Sequence, residues 1–260
     1  MGNLVQLHKN EQGIGIVTLS RTDAANALSI QLLNDLQSIL NEVKTDRNIR
    51  VAVITGAGEK AFCAGADLKE RRGMNEQQVR ETVALIRSTI NAVEALPQPV
   101  IAAINGVAFG GGLELALACD VRIAAEHAQM GLTETSWAII PGAGGTQRLP
   151  RLISVGRAKE LIYTARRITA EEAYQYGIVE HVVPYEELMN KALSLAEEMA
   201  VNAPLSLIQA KAAINKGIEV DLHSGLKIEE LAYNALIPTE DRLEGLRAFA
   251  EKRPPQYKGR

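Results

Sequence analysis

At 260 residues with 47% hydrophobic content, the chain can bury a core as one domain, or as one domain with a helical appendage, which excludes a disordered or fibrous protein. A net charge of −3 exerts no global pull toward nucleic acid or acidic membranes. Cys63 and Cys119 lack CxxC spacing, and His8, His127, His181 and His223 are scattered, so neither a metal site nor a disulfide framework is expected.

In chain order, residues 4–20 alternate around Gly13 and Gly15, which predicts an opening hairpin with Ile14 to Leu19 as its second strand. A helix follows near Ser29 to Lys44, with Ile30, Leu33, Leu36, Leu40 and Val43 on one face. A strand at 51–55, a glycine-bearing loop at 56–66, a helix carrying Val79, Val83, Ile86, Ile90 and Val93, and a strand at 99–104 continue the rhythm of a layered α/β fold. From about residue 184 the pattern becomes helical near 185–201, 204–216, 222–236 and 240–252, with breaks at Pro204, Gly217 and Pro238. No run of the chain is apolar over the length of a bilayer span, and Met1 to Lys9 lacks the apolar region of a secretory signal. A bacterial cytoplasmic location is expected, with a mature mitochondrial matrix form as the alternative.

The most informative stretch runs from Asn105-Gly106 through Gly110-Gly111-Gly112 to Leu113-Glu114-Leu115-Ala116. A buried strand ends at the Asn-Gly turn, and a Leu/Ala-rich helix begins at the glycines with a carboxylate in its first turn. Helix starts present unpaired N–H donors, which suit an anionic oxygen. Close packing of strand on helix explains an isolated glycine triplet equally well. There is neither a dinucleotide fingerprint nor a Walker lysine.

Two further blocks accompany it. Upstream lies Lys60-Ala61-Phe62-Cys63-Ala64-Gly65-Ala66-Asp67-Leu68-Lys69-Glu70; downstream, Met130-Gly131-Leu132-Thr133-Glu134 precedes Ile140-Pro141-Gly142-Ala143-Gly144-Gly145-Thr146-Gln147-Arg148. These three blocks, in this order, resemble the enoyl-CoA hydratase/isomerase (crotonase) family over nearly the whole chain. Leu113 to Asp120 and the ending Glu251 to Gly259 look most like its methylglutaconyl-CoA hydratase members. The resemblance implies an α/β crotonase-like spiral of ββα turns over residues 1–183. It also implies a helical region over 184–260 that makes trimers, pairing into a hexamer.

By the same resemblance, Glu114 would activate a water and Glu134 would protonate the α-carbon of an enoyl-CoA. Paired carboxylates suit this, since one takes a proton while the other gives one. Any two glutamates in so acidic a chain are otherwise solvated surface residues. The N–H groups of Ala66 and Gly111 would form an oxyanion hole for the thioester oxygen, and Gly142 N–H would help position the second glutamate and the water. Asp67 reads as a helix N-cap as well as a neighbour of the coenzyme. Coenzyme A, part of the substrate and not a separate cofactor, would meet Arg21, Ala64, Ala66, Asp67, Leu68 and Lys69, with Phe249 and Lys252 arriving from a neighbouring subunit. Trp137 is either core filler or a wall of the acyl pocket. Thr133 and Ala138 depart from the proline and glycine common in hydratases.

The expected activity is therefore hydration of a trans-2-enoyl-CoA to a 3-hydroxyacyl-CoA, including a branched or methylglutaconyl-type acyl group, in fatty acid or branched-chain amino acid breakdown. Double-bond isomerisation is the alternative within the family. Some relatives of this branch also bind AU-rich RNA through a lysine-rich early helix. Here residues 29–50 offer only Lys44, Arg47 and Arg50, offset by Asp35, Glu42 and Asp46, so RNA binding is not expected.

Overall fold

The computed structural model describes residues 2–260; Met1 of the amino-terminal segment lies outside them. The chain opens with β1 (Val5–Lys9), β2 (Ile14–Leu19), a 3-10 turn at Thr22–Ala24 and α1 (Ile30–Thr45). Three ββα turns follow: β3 (Val51–Gly56), β4 (Ala61–Cys63), the short α2 (Leu68–Arg71) and α3 (Glu76–Glu94); then β5 (Val100–Ile104), β6 (Val107–Phe109) and α4 (Gly111–Leu117); then β7 (Val121–Ala125), β8 (Gln129–Gly131), a 3-10 turn at Glu134–Trp137 and α5 (Gly145–Leu152). The chain continues through α6 (Val155–Thr164), β9 (Ile168–Thr169), α7 (Ala170–Tyr176) and β10 (His181–Val183), and ends in α8 (Tyr185–Ala200), α9 (Pro204–Gly217), α10 (Leu222–Leu236) and α11 (Glu240–Glu251).

Each turn sends one strand to each of two sheets. The larger sheet has the order β1-β2-β3-β5-β7-β10 and the smaller β4-β6-β8-β9. The β2-β3, β3-β5 and β5-β7 pairings are parallel, as are β4-β6 and β6-β8, so successive turns stack in register as a spiral. Strand β3 is buried at every position, as expected where both sheet faces are covered. Its alternation sorts the core: Ala52 and Ile54 join Leu33, Leu36, Phe62 and Ile90 on one side, while Val51 and Val53 face Leu188, Ala192, Ala196 and Ala200 of α8 on the other.

That second face is covered by a helix that lies beyond residue 184. Helix α8 is part of the core, because its small residues at every fourth position seat it on the sheet. The chain departs from that body only at α9 and α10, which pair with each other and bury none of their residues. Lys211 of α9 ties them back: its Nζ donates to Asp120 Oδ2 at 2.8 Å and to the Gln98 carbonyl at 3.0 Å. Arg50 similarly donates to the carbonyls of Ala200 and Tyr257, at 2.9 and 2.8 Å.

Two buried asparagines hold the loops that carry the site. Asn26 Nδ2 donates to the carbonyls of Ala57 and Ala61, and Asn105 Nδ2 also reaches Ala61 O while its Oδ1 accepts from Gly56 N–H. Removing either would leave buried backbone groups without partners, at about 1–3 kcal/mol each. Helix α1 begins close to the expected position, with Ser29 as its cap, but Ile30 is exposed because it precedes the buried stripe. The expected loop at 56–66 contains β4, a three-residue strand too short to show alternation. No helix among the described residues is long and apolar enough to cross a membrane.

Candidate active site

The site lies where the second and third turns of the spiral face each other across an open cleft of about 1900 Å³. Gly110 precedes α4 with φ 51° and ψ −122°, a backbone state that favours glycine, and this turn points Glu114 of the first helical turn inward. Glu114 is 2% exposed, and its Oε1 accepts the N–H groups of Ala143 and Gly145 at 2.7 and 2.8 Å. Burial pushes its carboxyl above the ordinary range. The amides of Gly145 and Ala143, and then the charges of Arg148 and Arg87, pull part of the way back.

Glu134 opens the 3-10 turn on the other side. A Cβ added to Gly110 would stand 3.0 Å from Glu134 Oε1, so the second carboxylate rests on the glycine that starts the helix of the first. Glu134 Oε2 is buried without a hydrogen-bond partner among the described residues. Burial, reinforced by the Glu114 charge, pushes the Glu134 carboxyl up to about 7. One carboxylate is thus pinned by donors while the other is starved of them, and two carboxyls in settings so unlike can divide acid and base work between them.

Two amide groups open into the same cleft. Neither Ala66 N–H nor Gly111 N–H donates to a protein acceptor among the described residues, and both residues line the cleft. They are close: the Cβ position of Gly65 lies 3.4 Å from Gly111 N, and that of Gly111 lies 3.9 Å from Ala66 N. Asp67 caps α2, its Oδ1 accepting from Lys69 and Glu70 N–H at 2.9 and 3.1 Å, which fixes the loop bearing Ala66.

The remaining sequence candidates divide. Ala64, Leu68 and Gly142 line the cleft, and so does Trp137, which at 63% exposure is a rim residue and not core filler. Gly142 N–H is not a donor to either glutamate; Ala143 and Gly145 supply the donors, and both go to Glu114. Arg21 lies outside the cleft lining, with Nη1 2.7 Å from Asp67 Oδ2 and also donating to the Ala27 carbonyl, so it braces the loop. Lys69 is exposed outside the cleft lining, and Phe249, 87% exposed, and Lys252 lie on the tail away from it. Ala138, where glycine is common, takes φ 58°, a left-handed state that costs an alanine about 1 kcal/mol. Of the three early cations, Arg50 is turned inward to the Ala200 and Tyr257 carbonyls.

Comparisons with known proteins identify the family and the fold. Residues 9–260 match the family model described as enoyl-CoA hydratase/isomerase. YngF of Bacillus subtilis (strain 168), named for the same family, is 58% identical over 259 residues, with all of both chains covered. The human mitochondrial methylglutaconyl-CoA hydratase is 49% identical over 257 residues, spanning 97% of this chain and 76% of that protein. A crystal structure of an enoyl-CoA hydratase from Bacillus anthracis superposes with a TM-score of 0.97 at 61% identity, covering 99% of this chain and 100% of that one.

Proposed function

The chain belongs to the enoyl-CoA hydratase/isomerase family, and from that premise we propose that it adds water across the double bond of a trans-2-enoyl-CoA to give the 3-hydroxyacyl-CoA. The observation that carries this reading is the contrast between the two carboxyl groups of one cleft: Glu114 held by two amide donors, Glu134 half-buried with Oε2 unpartnered among the described residues. Glu114, as carboxylate, takes a proton from water while the water oxygen bonds to the β-carbon. The π electrons move toward the thioester oxygen, where the N–H groups of Ala66 and Gly111 stabilise the enolate. Glu134, protonated near neutral pH, then gives its proton to the α-carbon. Proton return from Glu114 to Glu134 restores the starting state.

Isomerisation needs only one acid at the Glu134 position, and the presence of Glu114 favours hydration. A carboxylated, methylglutaconyl-type acyl group is supported by the similarity to the human hydratase of that name and by Arg71, which lines the cleft with no carboxylate partner among the described residues. Arg21, Lys69 and, across a subunit boundary, Phe249 and Lys252 are our candidates for contacts with the coenzyme.

Assembly into trimers paired as a hexamer is supported by the exposed apolar side chains of the tail, among them Ile214, Leu222, Leu226, Leu231 and Leu246. The cytoplasm is the proposed location. The deciding experiment is a steady-state assay of crotonyl-CoA and 3-methylglutaconyl-CoA hydration beside isomerisation of a 3-enoyl-CoA. Turnover of the 3-enoyl-CoA alone would overturn the hydratase reading.

A further inference from the structure

Four hydrogen bonds meet on the loop from Gly142 to Gly145. On its amide side, Ala143 and Gly145 donate to Glu114 Oε1. On its carbonyl side, Arg87 Nε donates to Gly142 O at 2.9 Å and Arg148 Nη1 donates to Ala143 O at 3.0 Å. The Gly142 carbonyl and the Ala143 N–H belong to one planar peptide group, so Arg87 and Glu114 grip opposite ends of a single dipole. Arg148 is fixed in turn by α3, its Nη2 donating to Asn91 Oδ1 at 2.9 Å and to Glu94 Oε2 at 2.6 Å. Arg87 also belongs to α3, so one helix holds the back of the loop through two guanidinium groups.

We propose that Arg87 and Arg148 are positioning residues that clamp the 142–145 loop, aiming the Ala143 and Gly145 amides at Glu114 and thereby orienting the base. The inference rests on the reading of Glu114 as the group that activates water. A loop with three glycines in four positions has little conformational stiffness of its own, and something outside it must fix where its N–H groups point. A carbonyl that accepts from a guanidinium also polarises its peptide and makes the N–H at the other end a stronger donor. Neither arginine touches the proposed reacting atoms.

The charged groups that line the cleft with Glu114 are Glu134 from the 3-10 turn, Arg87 and Glu94 from α3, Arg148 and Arg151 from α5, and Arg71 from α2. At its far end the cleft also carries Asp120 and Arg122, with Lys211, Lys216 and Glu219 from α9 and the turn after it. Helix α4 brings no charge besides Glu114. The charges of Arg148 and Arg87 act to lower the Glu114 carboxyl, so losing either shifts its titration upward. The base form is then available only at higher pH.

Arg87 is exposed and makes no ion pair among the described residues, so its variants should fold; Arg148 is largely buried and paired with Glu94. The test therefore uses Arg87→Gln and Arg87→Lys, with Arg151→Gln as a control that removes a cleft charge without touching the loop carbonyls. Each full-length variant is measured for the pH dependence of kcat and KM with crotonyl-CoA. The Glu114 carboxyl is titrated by infrared spectroscopy in substrate-free protein, using Glu114→Gln to assign its band.

Arg87→Gln is expected to lose about tenfold in kcat near neutral pH, the order of one hydrogen bond to a charged group. Its acid limb and infrared titration should move up by roughly half to one pH unit, with KM changed less than about threefold. Arg87→Lys should recover much of the loss, and Arg151→Gln should leave both profiles in place. An unmoved infrared titration in Arg87→Gln, or an equal shift in Arg151→Gln, would overturn the clamp. Because the infrared readout needs no turnover, it judges the clamp even if crotonyl-CoA is not hydrated, whereas that result would count against the proposed function alone.

Discussion

Glu114 and Glu134 carry the same carboxyl group into opposite settings within one cleft. The first sits on a helix and is almost completely buried, yet two amides converge on one of its oxygens. The second sits on a 3-10 turn, less deeply buried, and has an oxygen with no partner among the described residues. Burial pushes both carboxyls up, but at Glu114 the two amides pull back, whereas at Glu134 the Glu114 charge adds to the push and carries it to about 7. Depth alone does not decide which carboxyl holds a proton; the supply of donors does.

The comparison breaks most directly if either carboxyl proves dispensable. Glu114→Gln and Glu134→Gln are each expected to lower kcat/KM for enoyl-CoA hydration at least about a hundredfold, with circular dichroism unchanged. Near wild-type turnover in either would remove that residue from the mechanism. Gly110→Ala attacks the point the two settings share. A left-handed φ and a Cβ 3.0 Å from Glu134 Oε1 should cost about 1–3 kcal/mol in urea unfolding and displace the second carboxyl while leaving the Glu114 amide contacts in place. Unchanged stability would mean that the turn tolerates a side chain.

The starved carboxyl also makes a prediction about folding. With a folded value near 7 against an ordinary 4.5, Glu134 binds more protons in the native protein, so its contribution to stability falls as pH rises from about 4.5 to about 7 and stays low above. Glu134→Gln should accordingly be more stable than wild type at pH 8 by on the order of 1–2 kcal/mol, discounted for partial exposure, and should lose that advantage near pH 4. Parallel melting curves at the two pH values check it. The smallest effect is expected at Ala138, the left-handed residue just after the turn, where Ala138→Gly should stabilise by less than about 1 kcal/mol without altering turnover.

These features were unequally legible in the sequence. Helices α1 and α3 show in the 3.6-residue spacing of their apolar side chains, and α8–α11 in the breaks that separate them, which are local signals. Strands β4, β6 and β8 have three residues each, too few for alternation, and exist because the spiral pairs them. The glycine turn announced Glu114, whereas Glu134 became a candidate only through the resemblance, because sequence distance says nothing about which acids meet. Arg87 and Arg148 gave no sign of their role: Arg87 occupies the exposed side of α3, and only tertiary packing brings it to the Gly142 carbonyl.

The two carbonyls that Arg50 grips lie 150 and 207 positions downstream of it. During synthesis a chain emerges from its amino end, and the early strands and α1 can assemble long before Ala200 or Tyr257 exists. Over that interval the guanidinium has water in place of its native acceptors. The nascent body therefore acquires this closing latch only once Tyr257 has been made. A chain shortened before Tyr257 would contain every strand of the two sheets and the loops that carry Glu114 and Glu134, but would leave half the latch undone.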